Sequence, residues 1–444
     1  MSTEPLVSIV VPTVGRHASL MRLLAALSWQ SSPPPFEVIV VIDGVGGTGL
    51  DAVRLRDAFP FHIRLLALDR PSGAGAARNA GAAIAGAPVL LFMDDDVEPG
   101  PGCVSAHSRA HVHAAELLGA GGLEPRPEVG GYLGSALAGW WEAMNDRLLD
   151  PRHRFTFRDV LAGHCSIRRD TFEALGGFDE TLRCHEDFDL GYRAIRAGVE
   201  VRFVPGADGV HHDGSDLTRI LRRKHAEGRA SVQLARKHRE LLTALPMGRP
   251  LAPGRAARAM FTLAMRASRP ADRVVTAAAE AALWTLERAS MRDKWRLVLD
   301  RAMDYWYWRG VREEAMSEVA VRSYRDAPPP CTGAMPDVDL SAGLSAVEQQ
   351  LDEMRPGAIR IRFHGHLVGE LPAVAGAEPL RGVHLRPLLL ECFADGLVRA
   401  SARAGVLPAV FRQAAGVDLD TVDCPPQVGG IRVSRPREGR GLSH

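Results

Sequence analysis

An α/β protein built on a mostly parallel sheet, with helices covering both faces, is the fold class that this sequence predicts. Three observations carry it. Short runs rich in Val, Ile and Leu alternate with helix-period segments through about the first 205 residues, which is the pattern of βαβ units. The chain has 444 residues, with 46% apolar and 24% charged, long enough for a large core and more than one domain. Polar side chains also gather where successive apolar runs end, and such sheets bind ligands beyond the carboxyl ends of their strands.

In order, "LVSIVVP" reads as a buried strand and "HASLMRLLAALSW" as an amphipathic helix. "FEVIVVI" is a strand, "LDAVRLRDAF" a helix and "FHIRLLAL" a strand. "AGAARNAGAAIAG" (helix) and "PVLLFM" (strand) complete the alternation. From about 214 to 326 the chain is helical in pattern, with a strongly basic segment at 219–239. "DAPPPCTG" at 326–333 reads as a linker. The alternating "AIRIRFHGHLVGEL" and helix-like "LRPLLLECFADGLVRASARAG" predict a small α/β appendage with a disordered tail. The expected division is therefore 1–215, 216–326 and 327–444.

Composition excludes several functions. A net charge of +1 argues for no nucleic-acid partner. The six cysteines are scattered and form no CxxC pair, which predicts reduced thiols with neither a disulfide framework nor a structural zinc site. The N-terminus has no signal-peptide pattern, and no apolar run approaches the roughly 20 residues of a membrane span. A cytoplasmic protein is expected, with peripheral contact at the inner membrane face through the basic helix as an added option.

Two glycine runs need separating from nucleotide motifs. "GVGGTG" at 44–49 matches G-x-G-x-x-G after a strand. Asp43 directly precedes it, however, and a carboxylate there would repel the pyrophosphate that such a loop serves. "PSGAGAARNAG" reads instead as the entry to a helix beginning near Ala74, small enough to pack closely on the sheet. Arg78 lies in its early turns, placed to help the helix N-terminus hold an anion.

The acidic residues are the sharpest signal. Asp94, Asp95 and Asp96 follow the fourth strand. At i and i+2 on extended chain, Asp94 and Asp96 share a face while Asp95 points elsewhere. Hard divalent cations take one or two carboxylates together with substrate phosphates; on these residues alone, a metal–diphosphate site and a polar turn both stay open. Downstream, Glu186 and Asp187 open an amphipathic helix whose dipole favours ionised carboxylates, and an Asp held there suits a general base. Asp189 and Arg193 form a structural i, i+4 pair. His211 or His212 could complete a carboxylate metal site, His211 being preferred. His107, His111 and His113 have ligand-like helical spacing but read as an ordinary helix face.

These pieces, in this order, resemble the family-2 glycosyltransferases of GT-A fold. The matching stretches are "VSIVVPTVGR", "FEVIVVIDG", "GAGAARNAGAAIAGAPVLLFMDDDVEPGPG", "GGFDETLRCHEDFDLGYRAIRAG" and "VRFVPGADGVHH", across about residues 6–215. The resemblance implies sugar transfer from a nucleotide-diphosphate-sugar to an acceptor hydroxyl with inversion, assisted by Mg²⁺ or Mn²⁺. By position, Asp43 looks like the acid at the donor base, with Pro12, Thr13 and Arg16 lining the nucleotide pocket and Arg78 near the donor. Asp94 resembles the first DxD position, with Asp95 beside it, and Asp96 the metal ligand. Asp187 resembles the catalytic base, with Glu186 next to it. The implied acceptor is a saccharide, a lipid-linked molecule or a small molecule.

Processive members carry Q-x-x-R-W after the base and several membrane spans, whereas here "RRKHAEGR" stands in that neighbourhood. Polymer synthesis is therefore not expected. The competing readings are a nucleotidyltransferase or dinucleotide-dependent enzyme on a similar sheet, and a non-catalytic nucleotide-sugar-binding homologue.

Overall fold

The computed structural model describes residues 4–44, 55, 57–114, 116–249, 254–325 and 335–406. The glycine run after Gly44, most of the helix expected at 50–59, the linker at 326–333 and the tail beyond 406 lie outside the described residues. Strands β1 (Val7–Thr13), β2 (Phe36–Ile42), β3 (His62–Ala67) and β4 (Val89–Met93) form a parallel block in the order β3-β2-β1-β4. Alternate residues face opposite ways. Ile9, Val11, Val38 and Val40 pack with Leu20, Leu23 and Leu27 of α1 (His17–Ser28). Val10, Ile39, Val41 and Leu90 face the other side, with Ala77 and Ala82 of α2 (Ala74–Ile84). The small-residue reading of α2 has a measurable basis: a Cβ on Gly81 would lie 2.4 Å from Val10 Cγ1.

The second half of the domain contains β5 (Val97–Pro99), α3 (Cys103–His113), β6 (Leu117–Pro127), α4 (Gly131–Leu149) and β7 (His164–Arg168). It continues with α5 (Arg169–Ala174), α6 (Glu186–Arg196) and β8 (Glu200–Asp213). The full order is β3-β2-β1-β4-β7-β6-β8-β5 in one eight-stranded sheet. Here the sheet is less parallel than the sequence predicts. β7 inserts between β4 and β6 antiparallel to both, and β5 pairs antiparallel with β8. Apolar runs identify strands but not their direction, which chain connections decide.

The helical layer comprises α7 (Leu217–Lys237), α8 (Arg255–Arg266), α9 (Arg269–Arg288), α10 (Arg292–Ala315) and α11 (Glu318–Arg325). α7 and α10 cross backbone to backbone. A Cβ on Gly228 would sit 2.0 Å from the Tyr307 carbonyl oxygen, and one on Gly310 would sit 2.0 Å from that of His225. Gly310→Ala should therefore destabilise the protein by about 1–3 kcal/mol through overpacking, read as a lower denaturant midpoint. An unchanged midpoint would show that the helices can separate freely.

The C-terminal unit holds β9 (Asp337–Asp339), α12 (Leu344–Met354), β10 (Ile359–Phe363), β11 (His366–Leu371), α13 (Leu385–Glu391) and α14 (Ala394–Arg403). Its three strands run β11-β10-β9 over a core that includes Val338, Leu351, Ile359 and Ile361. The alternating stretch forms the antiparallel hairpin β10–β11. A loop from this unit docks on the first domain: Glu378 N–H donates to Phe155 O at 2.8 Å, and Phe157 N–H to Gly376 O at 2.8 Å. Among the described residues, no helix is long and apolar enough to cross a membrane.

Candidate functional site

β1 and β4 end beside one another, and α6 and the end of β8 close over them around a cavity of about 1310 Å³. Arg16, Arg78, Asp94, Asp96, Asp187 and His211 all reach its wall, as does Glu186. Residues more than 170 positions apart in sequence thus meet in one space.

The acidic triplet divides as expected but not on extended chain: Asp95 and Asp96 sit in a turn between β4 and β5, closed by Val97 N–H donating to Asp94 O at 3.0 Å. Asp94 and Asp96 line the cavity. Asp95 is fully buried, accepting the Thr13 hydroxyl at 2.6 Å and an ion pair from Arg16. Burial raises its carboxyl to about 6, ahead of Arg16 and Thr13, which lower it. Arg16 also reaches Asp96 Oδ2 at 2.6 Å, so one guanidinium spans two carboxylates. Asp94 N–H donates to Gly163 O at 2.9 Å, and a Cβ at 163 would come within 2.7 Å of Asp94 Oδ2, so any side chain there would have to displace the Asp94 carboxylate.

Arg78 differs from its sequence reading. It is not an open anion holder: its side chain is 4% exposed, with Nη2 2.6 Å from Asp94 Oδ1 and Nη1 2.8 Å from Glu186 Oε1. Burial opposes ionisation of Asp94, but the charge and hydrogen bond of Arg78 outweigh it and hold that carboxyl below its ordinary range. Asp187 goes the other way. Burial first, then the neighbouring Glu186 charge, raise it to about 7. Its Oδ1 accepts the Phe188 N–H at 2.8 Å.

Three of the residues expected at the nucleotide make internal contacts. Pro12 is buried in β1 opposite Val41, and the Thr13 hydroxyl is spent on Asp95. Asp43 accepts backbone N–H groups from Ser72 at 2.5 Å and Gly73 at 2.8 Å, which fixes the entry to α2. None of these three, nor Asp95, is on the cavity wall, so a direct donor contact for Asp95 does not match its placement. Backbone pairing and side-chain satisfaction, invisible in one sequence, explain the difference.

The two histidines separate. His212 Nε2 is 2.7 Å from Glu98. His211 Nε2 lies 3.7 Å from Asp96 Oδ1, and its ring meets Trp141 edge-on with centroids 4.3 Å apart. The Trp141 indole N–H donates to Asp213 at 3.1 Å. Trp141 thus belongs to the cavity, whereas Trp140 packs in the cluster with Leu283 and Leu299. Asp189 is structural as expected, with Arg193 at 2.7 Å, and also meets His238 at 2.8 Å.

Several wall residues were not read from the sequence. His185 precedes Glu186 in the left-handed region at φ 64° and stacks on Phe188 with centroids 4.3 Å apart; burial lowers its imidazole to about 4. A non-glycine residue in that conformation leaves no compositional signal. Asp300, Arg301, Asp304 and Tyr307 of α10 also face the cavity. The basic segment of α7 is divided between roles. Arg219, Arg222, Arg223 and Lys224 reach the cavity wall, while Arg229 and Arg236 pair with Glu314.

Known proteins share sequence with this chain. Residues 8–176 match the model of glycosyl transferase family 2. That segment is similar to the family-2 glycosyltransferases. Validoxylamine A glucosyltransferase of Streptomyces hygroscopicus subsp. limoneus is 33% identical over 233 residues, covering 45% of this chain and 49% of its own. Pre-mycofactocin glycosyltransferase of Mycobacterium tuberculosis is 29% identical over 240 residues, covering 52% and 48%. The chain thus spans about half the length of the curated relatives it matches. A solved mannosyltransferase from Pyrobaculum calidifontis, in complex with GDP-Man and Mn²⁺, is 17% identical with a TM-score of 0.42, covering 68% of this chain and 86% of its own; that likeness is too distant to carry an argument. The matched segment contains every sequence-predicted site residue up to Arg78 and the acidic triplet, while Glu186, Asp187 and His211 lie beyond it.

Proposed function

We propose that this chain transfers a sugar from a nucleotide-diphosphate-sugar to an acceptor hydroxyl with inversion, with Asp187 as general base. The observation that carries the proposal is the pairing of opposites around one cavity. Asp187, raised to about 7, shares it with Asp94, held low, and with Asp96. A base poised near neutral pH suits removal of a proton from an attacking hydroxyl. Arg78 is the link between donor side and base side, since it holds Asp94 and Glu186 together. A single displacement needs positioning of two substrates rather than a protein nucleophile.

A divalent cation fits the residues present. Asp96 Oδ1 and His211 Nδ1 are buried polar atoms without a hydrogen-bond partner, and Asp96 Oδ1 faces His211 Nε2 at 3.7 Å. Carboxylate and imidazole suit Mn²⁺ or Mg²⁺, and Asp96 and His211 would hold it. When bound, such an ion supplies positive charge to the leaving diphosphate. The acceptor, in this reading, is a hydroxyl-bearing saccharide, lipid-linked or small molecule met partly by Asp300, Arg301 and Asp304 of α10. The division at 1–215, 216–326 and 327–444 is kept as a working one, with the second unit completing the acceptor side.

Donor turnover is expected with Mn²⁺ or Mg²⁺, to fall to background with a chelator, and to return on adding either ion back. Equal turnover with ion, with chelator and in Asp187→Asn would overturn the mechanism. A nicotinamide signal without nucleotide-sugar binding would favour the dinucleotide alternative.

A further inference from the structure

Behind the acidic loop lies a second group of ligating side chains that the proposed reaction does not use. Cys103 and His107 are four residues apart on α3 and so share a face. His164 opens β7, opposite Met93 of β4. The fold closes these three into a cluster in which one ligand atom from each lies within 4.8 Å of the others. Cys103 Sγ and His164 Nε2 are 3.2 Å apart. All three residues are fully buried.

The ring nitrogens are divided in a telling way. His164 Nδ1 faces the Gly122 carbonyl at 3.1 Å, so it carries the proton and leaves a lone pair on Nε2 beside the thiol. His107 Nδ1 is 2.8 Å from Ser166 Oγ. His107 Nε2 is buried with no hydrogen-bond partner, although an unpaired buried polar atom is unfavourable. Holding one imidazole nitrogen by a carbonyl or hydroxyl and leaving the other for an ion is how metal-ligating histidines are oriented. One sulfur and two nitrogens suit a borderline-soft ion, whereas Mg²⁺ and Ca²⁺ prefer oxygen.

We propose that Cys103, His107 and His164 bind a zinc ion that fastens the start of α3 to β7. Scattered cysteines predicted no structural zinc site, but an i, i+4 Cys–His pair needs only one distant histidine, which spacing motifs do not register. Binding exchanges the thiol proton of Cys103 for the ion, the proton leaving to solvent. The site is separate from Asp96 and His211, yet it lies close behind them, because Gly163, which precedes His164, accepts the Asp94 N–H at 2.9 Å. Zinc here would brace the acidic loop without touching a substrate.

The test uses the full chain, expressed with added zinc and desalted into Mg²⁺ buffer so that Mg²⁺ competes at the Asp96 side. Elemental analysis is expected to find about one zinc per chain in the unaltered protein and in Asp96→Asn. It should fall to background in Cys103→Ser and His107→Gln. Since buried substitutions can impair folding, a second measurement uses the unaltered protein. Growth with Co²⁺ in place of zinc should give a thiolate-to-cobalt charge-transfer band, and zinc should displace it. Folded unaltered protein with neither zinc nor that band would overturn the proposal. So would zinc lost in Asp96→Asn and retained in Cys103→Ser.

Discussion

Asp187→Asn should lower turnover by about 10²–10⁴-fold, the usual contribution of a positioned acid or base, with little change in donor affinity. Asn keeps the shape and can accept the Phe188 N–H, but it cannot take a proton. The pH dependence gives a second readout. If Asp187 is the proposed base it must be deprotonated to act, so the unaltered protein should lose rate as pH falls through about 7, the value to which burial and Glu186 raise Asp187. The variant's residual rate should not follow that limb. Stability moves oppositely. An acid whose folded pKa is raised binds a proton in the folded state that the unfolded chain has already released. Its contribution is fully present below the unfolded carboxylate range, and is lost as pH rises through about 7. Asn imitates the protonated form, so Asp187→Asn should melt higher than the unaltered protein above pH 7. A variant that is inactive and also less stable at that pH would point to a structural role instead.

The largest stability effect is expected at Arg78. Its buried guanidinium holds Asp94 at 2.6 Å and Glu186 at 2.8 Å from two separate elements. Arg78→Met keeps an unbranched apolar stem but leaves the carboxylates facing each other without a cation. Removing one partner of a buried ion pair typically costs about 3–5 kcal/mol, measurable as a drop in denaturant midpoint. Arg78→Lys should rescue only part, because a single ammonium is a poor match for two carboxylates on opposite sides. Arg78 also lowers Asp187. Its loss should therefore shift the acid limb of the rate profile to higher pH, an effect that mere loosening of the fold would not produce. A midpoint within experimental error of the unaltered protein would remove Arg78 from this role.

Much of the fold was legible because β1, β2 and β4 are buried on both faces and read as continuous apolar runs. The split of Asp94 and Asp96 from Asp95 was anticipated for the wrong reason: the triplet lies in a turn closed by Val97 N–H on Asp94 O, not on extended chain, and the burial of Asp95 against Thr13 and Arg16 sets it apart. What could not be read were quantities set by partners. Arg78 looked like an anion site because the carboxylates that occupy it lie 16 and 108 positions away. For Asp43 and Thr13, nothing local reveals the internal bonds they make with Ser72, Gly73 and Asp95. The α10 contribution was hidden for a related reason. Which face of a long charged helix meets the cavity depends on the crossing with α7, and that crossing rests on two glycines.

That crossing has a consequence for how such a protein can diversify. At Gly228 and Gly310 even a methyl group would meet a carbonyl oxygen at 2.0 Å, so mutation there is an error of construction. A few residues earlier on the same helix, Arg301 and Asp304 face open space at the cavity wall. One helix therefore combines an immovable hinge pin with a freely editable surface. If the proposed acceptor side is right, a library randomised along 300–304 should remain folded, with α7 and α10 still crossing at their glycines, while its acceptor range drifts.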